Sequence, residues 1–187
     1  MATQTLSPPL DHRQRSDPPE LIVLHATAGA TARSSIQHLR SVGLSYHAII
    51  ARDGRDSAKS ENADGSAALV FACVPVDAAA FHVGSTIPAP SGRRINTASI
   101  GIALANIQRK ASPEPYTQAQ LAALDALIAA LRADLPSLAW LTTHATVQPW
   151  NRSDPLGMDG RALAARHGLQ FFAPSAATIA AHTPPRP

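Results

Sequence analysis

Cysteine, charge and long apolar runs are all scarce in this 187-residue sequence, and each scarcity closes off a class of protein. The single cysteine, Cys73, excludes an intramolecular disulfide framework and any multi-cysteine zinc finger. Charged residues make up 16%, against about 25% in a typical domain, too few for a charge-driven disordered chain. No apolar run approaches the ~18 residues that span a bilayer, so no membrane partner is expected. The net charge is only +3, and no dense Lys/Arg stripe marks a nucleic-acid partner. The length suits one compact domain, which at this size buries roughly 70% of the surface its unfolded chain exposes. What the sequence does hold in quantity is histidine, eight residues against four phenylalanines. Either these are scattered surface residues or some of them are ligands.

Residues 1–19 are polar and carry Pro8, Pro9, Pro18 and Pro19. They lack the apolar stretch of a secretory signal and read as a flexible arm. Residues 173–187 read as a tail with a short Ala-rich helix at 176–181, which leaves 20–172 as the folded domain. Leu21-Ile-Val-Leu24 is a short apolar run, as expected of a strand buried on both faces, and His25 ends it. Thr31 is placed to cap a helix through Arg40 that Gly43 stops. Tyr46 to Ile50 reads as a second strand, Arg52-Asp-Gly-Arg55 as a hairpin turn, and 57–66 as a polar loop. Leu69–Val74 and Ser99–Leu104 are the third and fourth strands. Thr117 opens an amphipathic helix to about Asp134, with Leu121, Leu124, Leu127, Ile128 and Leu131 at three- and four-residue steps. Trp140-Leu141 begins a fifth strand that delivers His144, and Arg161–His167 forms a last short helix capped by Gly168. Strands mixed with helices in this order give an α/β layer fold.

Two histidines, His25 and His144, thus sit where strands end, and Asp154 lies ten positions beyond His144 in an irregular loop. Two imidazoles and a carboxylate fill three corners of a zinc tetrahedron and leave the fourth for water, whose pKa falls to about 7 there. A lone histidine is equally at home on the surface or satisfied in a core, so spacing by itself decides little.

Five blocks in order resemble one family: Leu21-Ile-Val-Leu-His-Ala-Thr-Ala-Gly29; Ser45-Tyr-His-Ala-Ile-Ile-Ala-Arg-Asp-Gly54; Val74-Pro-Val-Asp77 with Ala80-Phe-His-Val-Gly84; Asn96-Thr-Ala-Ser-Ile-Gly-Ile102; and Thr143-His144 with Arg152-Ser-Asp-Pro155. The family is the zinc-dependent N-acetylmuramoyl-L-alanine amidases, which share the fold of the peptidoglycan recognition proteins. The resemblance runs from about Leu21 to Phe172. It implies a central mixed β-sheet flanked by helices, an amidase domain over 20–172, and zinc held by His25, His144 and Asp154. Some relatives have cysteine at the third ligand; here the one cysteine lies in a strand, and Asp154 takes that position. Tyr46 matches a tyrosine near the metal whose hydroxyl serves the oxyanion, with a half-buried strand aromatic as the plain alternative. Arg152 stands where many relatives carry a catalytic lysine; an arginine stabilises negative charge but does not trade protons near neutrality. His82 matches a histidine of the substrate-groove wall, where it binds peptide, donates to the carbonyl or is structural. Asn96 orders the loop before the fourth strand or lines the groove. His47 points to the face opposite Tyr46 by strand alternation, and His12, His38, His167 and His182 receive no role.

One departure separates the chain from the family's cytosolic wall-recycling members. They carry a water-activating glutamate at the position of Ala103, which phage amidases and several cell-wall amidases also lack. The resemblance therefore implies hydrolysis of the amide between N-acetylmuramic acid and L-alanine in peptidoglycan, by an endolysin or an exported antibacterial effector. The expected partners are peptidoglycan or muropeptide, a monomeric state and, for an effector, an immunity protein. The expected location is synthesis in the bacterial cytoplasm without a signal peptide and action at the wall or periplasm, after non-classical export or phage lysis. The alternatives are a non-catalytic muropeptide-binding module on the same fold, and a recycling amidase.

Overall fold

The computed structural model describes residues 3–52, 56 and 70–185. The Asp-Gly turn at 52–55, the polar loop at 57–66 and the start of the third strand at Leu69 fall wholly or partly outside the described residues.

The chain runs β1 (Thr3–Thr5), β2 (His12–Gln14), β3 (Leu21–Ala26), α1 (Ala32–Val42), β4 (Ala48–Ile50), β5 (Val70–Ala72), β6 (Ala78–Ala80), α2 (Ile95–Ala98) and β7 (Ser99–Leu104). It continues through α3 (Gln118–Asp134), β8 (Trp140–Thr143), α4 (His144–Val147), α5 (Gly160–Arg166), β9 (Gln170–Phe171) and α6 (Ala176–His182). Seven strands form one sheet in the order β1-β5-β4-β7-β3-β8-β9, with only β4 and β5 antiparallel. This is the mixed α/β sheet with flanking helices expected from the sequence.

β3 is central, paired along its length with β7 and over Leu21–Leu24 with β8, and all six of its residues are buried. A strand covered on both faces reads as a continuous apolar run, which is why Leu21–Leu24 carries no polar alternation. Its even residues, Ile22 and Leu24, join Ile100, Ile102, Leu124 and Ile128 in the core under α3 and α5. Its odd residues face the other side, where Leu21 and Val23 pack with Val83, Ile95 and Val147. The same alternation sends His25 to that second face, away from α3.

The helices begin where the sequence indicates. Thr31 caps α1 by accepting from the Ser34 N–H, and Gly43 ends it in the left-handed conformation (φ 67°). Buried Asp56 adds to that start, accepting from the Ala32 N–H at 2.7 Å and the Arg33 N–H at 3.2 Å, where a carboxylate suits the helix dipole. Thr117 and Gln120 close a capping box on α3. Among the described residues no helix is long and apolar enough to cross a membrane.

The N-terminal arm differs from the expectation of a loose segment. β1 pairs in parallel with β5, β2 pairs antiparallel with β6, and Leu10 between them is buried in the core with Phe71, Ile36 and Leu39. Arg15 closes the segment onto the domain, its Nε donating to the Ala78 carbonyl at 2.6 Å and its Nη2 to the Ser99 carbonyl at 3.0 Å. Cys73 lies just past β5, buried with its thiol pushed up to about 12 by desolvation, as befits an inert packing residue. Leu10→Ala tests the placement of the arm. A fully buried leucine truncated to alanine is expected to lower unfolding stability by about 2–4 kcal/mol in a urea titration. A change under about 0.5 kcal/mol, as for an exposed site, would return the segment to a loose arm.

Candidate metal centre

Three elements bring the predicted ligands to one point. β3 presents His25 from a fully paired strand, with no solvent exposure. β8 ends at Thr143, whose hydroxyl accepts from the Thr146 N–H and so starts α4 with His144 as its first residue. The loop after α4 returns to that helix where the Asp154 carbonyl accepts from the Ala145 N–H at 2.9 Å. Donor atoms of His25, His144 and Asp154 all lie within 4.8 Å of one another. The nitrogen facing the carboxylate is Nδ1 in both histidines, at 3.1 Å from Asp154 Oδ2 for His144 and 3.6 Å for His25. The two rings meet edge-on with centroids 4.5 Å apart.

Burial sets the protonation of this group. Desolvation pushes His25 down to about 4, helped by neighbouring His144, so its ring is neutral. Desolvation alone would raise the Asp154 carboxyl, but the two imidazoles beside it override that and hold it well below the usual carboxylate range. His25 Nδ1 is buried without a hydrogen-bond partner among the described residues. His25 Nδ1, buried without a hydrogen-bond partner and 3.6 Å from the Asp154 carboxylate, is oriented as a metal ligand would be. Two imidazole nitrogens and one carboxylate oxygen fit zinc with an open fourth position.

Behind the ligands lies a layer in which His82 and Asn96, both marked in the sequence, meet Ser99 and Gln148, which were not. His82 Nδ1 is 3.0 Å from His25 Nε2, and His82 Nε2 is 3.1 Å from Ser99 Oγ. Both ring nitrogens are thus engaged inside the protein, and burial holds the ring neutral, well below the ordinary histidine value. His82 also lines the open cavity, so the ring both backs His25 and borders the site. Asn96 likewise turns inward, exchanging hydrogen bonds with the Val83 N–H and carbonyl, both at 2.9 Å, so of its two expected roles it orders the chain. Gly101 makes room for the imidazole, since a Cβ there would lie 2.7 Å from the His82 ring. On the His144 side, Gln148 Oε1 accepts from the Gly84 N–H at 3.0 Å and stands 3.3 Å from His144 Nε2. Ser99 and Gln148 had signals in the sequence: a polar residue opening an otherwise apolar strand, and a glutamine four positions after a histidine on one helical face. His47 is structural as expected, its Nδ1 accepting from the Gly101 N–H at 2.9 Å.

The open side of the site is a cavity of about 540 Å³. His144, Asp154, Tyr46 and Arg152 line it together, and Ser34, Ser35 and His38 of α1 extend it. The Tyr46 ring lies 4.8 Å from His25, and desolvation with the nearby Asp154 charge raises its phenol far above the ordinary value. The Tyr46 hydroxyl therefore keeps its proton and stays a hydrogen-bond donor. Arg152 is exposed and supplies a positive charge at the rim. Ala103 pairs in register with His25 on the neighbouring strand, so β7 brings no carboxylate to the site.

The fold recurs in solved structures. AmpDh3 of Pseudomonas aeruginosa, in complex with anhydromuramic pentapeptide, is 23% identical with a TM-score of 0.67 over 82% of this chain and 60% of its own. AmiD of E. coli, in complex with the substrate anhydro-N-acetylmuramic acid-L-Ala-D-gamma-Glu-L-Lys, is 23% identical with a TM-score of 0.61 over 88% of this chain and 63% of its own. Drosophila PGRP-LB is 16% identical with a TM-score of 0.61 over 90% of this chain and 98% of its own. The chain thus spans about three fifths of the length of the two bacterial relatives. No curated protein sequence matches it. The family model Amidase_2, described as N-acetylmuramoyl-L-alanine amidase, matches residues 15–157, from the arm through the Asp154 loop. The chain belongs to the N-acetylmuramoyl-L-alanine amidase family.

Proposed function

We propose that the protein is a zinc-dependent hydrolase that cleaves the amide between N-acetylmuramic acid and L-alanine in peptidoglycan. The observation that carries this reading is the convergence of His25 Nδ1, His144 Nδ1 and Asp154 Oδ2, with His144 and Asp154 lining an open cavity and His25 Nδ1 buried without a hydrogen-bond partner among the described residues. Family membership supports the bond cleaved, and the bacterial structural relatives hold anhydromuramyl peptides.

His25, His144 and Asp154 would hold the zinc, which when bound supplies Lewis acidity to both the attacking water and the amide carbonyl. The chain's own residues do the rest. Tyr46 keeps its proton at any ordinary pH and donates a hydrogen bond to the carbonyl oxygen as negative charge develops on it. Arg152 adds a positive charge at the same cavity. With Ala103 beside His25, the chain lacks the carboxylate that recycling members place there. This favours the intact wall over soluble recycled muropeptides, hence an endolysin or an exported effector acting outside the cytoplasmic membrane.

Two outcomes are expected. Incubation with purified peptidoglycan releases stem peptides, a chelator abolishes the release and zinc restores it, while His144→Ala loses zinc by elemental analysis. Release that ignores the chelator would remove the metal from the reaction, and binding without release would leave a recognition module. Tyr46→Phe is expected to lower kcat about 100-fold, the scale of a lost oxyanion donor, with zinc content unchanged. Turnover within twofold of the parent would leave Tyr46 as a wall of the cavity only.

A further inference from the structure

We propose that Ser99 and His82 form a hydrogen-bond relay, anchored on the Ile95 carbonyl, which keeps the proton of His25 on Nε2 and presents its Nδ1 lone pair to the metal position. The inference rests on the zinc reading above and deepens it, assigning two positioning residues behind a ligand.

The direction of each bond follows from one end of the chain of contacts. A carbonyl oxygen only accepts, and Ser99 Oγ lies 2.6 Å from the Ile95 carbonyl, so the hydroxyl proton points there. Ser99 Oγ is left as an acceptor, and the atom facing it at 3.1 Å is His82 Nε2, which therefore carries a proton. A neutral imidazole protonated on Nε2 is bare on Nδ1. His82 Nδ1 faces His25 Nε2 at 3.0 Å and accepts from it, which fixes the one proton of His25 on Nε2. His25 Nδ1 is bare as a result, and it is the atom that is buried with no hydrogen-bond partner among the described residues, 3.6 Å from Asp154 Oδ2.

The reversed relay fails at its anchor. A proton on His25 Nδ1 would require one on His82 Nδ1, then one from Ser99 towards His82. That leaves two oxygens 2.6 Å apart at Ile95 with no proton between them, a repulsive contact. The surroundings are built to seat the middle ring. Asn96 holds the backbone on either side, accepting from the Val83 N–H at 2.9 Å and the His82 N–H at 3.4 Å, and Gly101 vacates the space the ring fills. Hydrogen bonds of this kind behind a metal-ligating histidine set its tautomer, and removing the partner typically weakens metal binding 10–100-fold.

The test compares Ser99→Ala, which removes the anchor, with Ser99→Thr, which keeps a hydroxyl. In metal-free protein labelled with 15N-histidine, the parent is expected to show a protonated-type Nε2 and a bare-type Nδ1 at both His25 and His82. In Ser99→Ala the two rings shift towards a tautomer mixture, and zinc affinity, read by competition with a chromophoric chelator, falls about tenfold. Ser99→Thr retains the parental nitrogen shifts and binds zinc within about twofold of the parent. A protonated Nδ1 at His25 in the parent overturns the relay, and so does a Ser99→Ala protein whose shifts and zinc affinity both match the parent. If Ser99→Ala does not fold, the parental shifts and Ser99→Thr decide alone. A parent that shows the bare Nδ1 yet binds no zinc sinks the metal reading and leaves the relay standing.

Discussion

A buried imidazole has to place both of its nitrogens, and at His25 the protein provides a protein partner for only one. Nε2 meets His82, while Nδ1 points at the Asp154 carboxylate from 3.6 Å without a proton to share. Lone pair against lone pair is a repulsive arrangement that a cation between the atoms turns into an attractive one. Much of the second face of the sheet is organised around that demand. β3 carries the ring, β7 yields a side chain at Gly101 to admit its support, and the loop after α4 brings the carboxylate to it.

The arrangement also sorts the remaining titratable groups. Burial keeps His25 and His82 uncharged, so neither competes with a metal ion for the single nearby carboxylate. The same burial, with the Asp154 charge, keeps Tyr46 protonated, and a phenol that stays a donor serves an oxyanion but not a water molecule in need of a base. Arg152 works in the same sense from the exposed rim. The cavity therefore sets a phenol and a guanidinium beside the Asp154 carboxylate, and β7 places Ala103, not a carboxylate, in register with His25.

Legibility in the sequence followed the strength of the local pattern. β3 and β7, apolar runs buried on both faces, and α3, with its capping box and five leucines or isoleucines at helical steps, could be placed to within a residue or two. β1, β2, β6 and β9 could not, being two or three residues long; β1 and β2 are polar, β6 is all alanine and β9 is a single Gln-Phe pair, with no alternation to reveal them. They exist because neighbouring edges need partners, which is a tertiary cause; the arm reads as loose until β5 and β6 are there to receive it. In the site, His144, Asp154, Tyr46 and Arg152 line one cavity, and His25 lies buried against it with its donor atom grouped with those of His144 and Asp154. His82 borders the same cavity with both ring nitrogens in hydrogen-bond contact inside the protein, and Asn96 orders the chain beside it; a motif match says that a residue is near the metal but not which way its nitrogens point. Ser99 and Gln148 went unread because serine and glutamine beside ligands look like ordinary polar filling until hydrogen-bond directions can be followed atom by atom.

The three donors differ in how much freedom the fold leaves them, and that explains where proton control is concentrated. Asp154 comes from a loop, but its Oδ2 accepts from the Ala26 N–H at 3.3 Å and its carbonyl from the Ala145 N–H at 2.9 Å, so backbone donors on two elements steady it. His144 opens a short helix and is steadied by Gln148, whose oxygen is identified by the Gly84 N–H that donates to it. His25 has the least latitude, on a central strand with all six residues buried and the full length paired to β7. It cannot shift to present its other nitrogen, so a proton on the wrong atom could not be corrected by movement. The strand that gives the site its rigidity is thus also the reason that its ligand needs an adjacent relay ending on a backbone carbonyl, an acceptor whose polarity never changes.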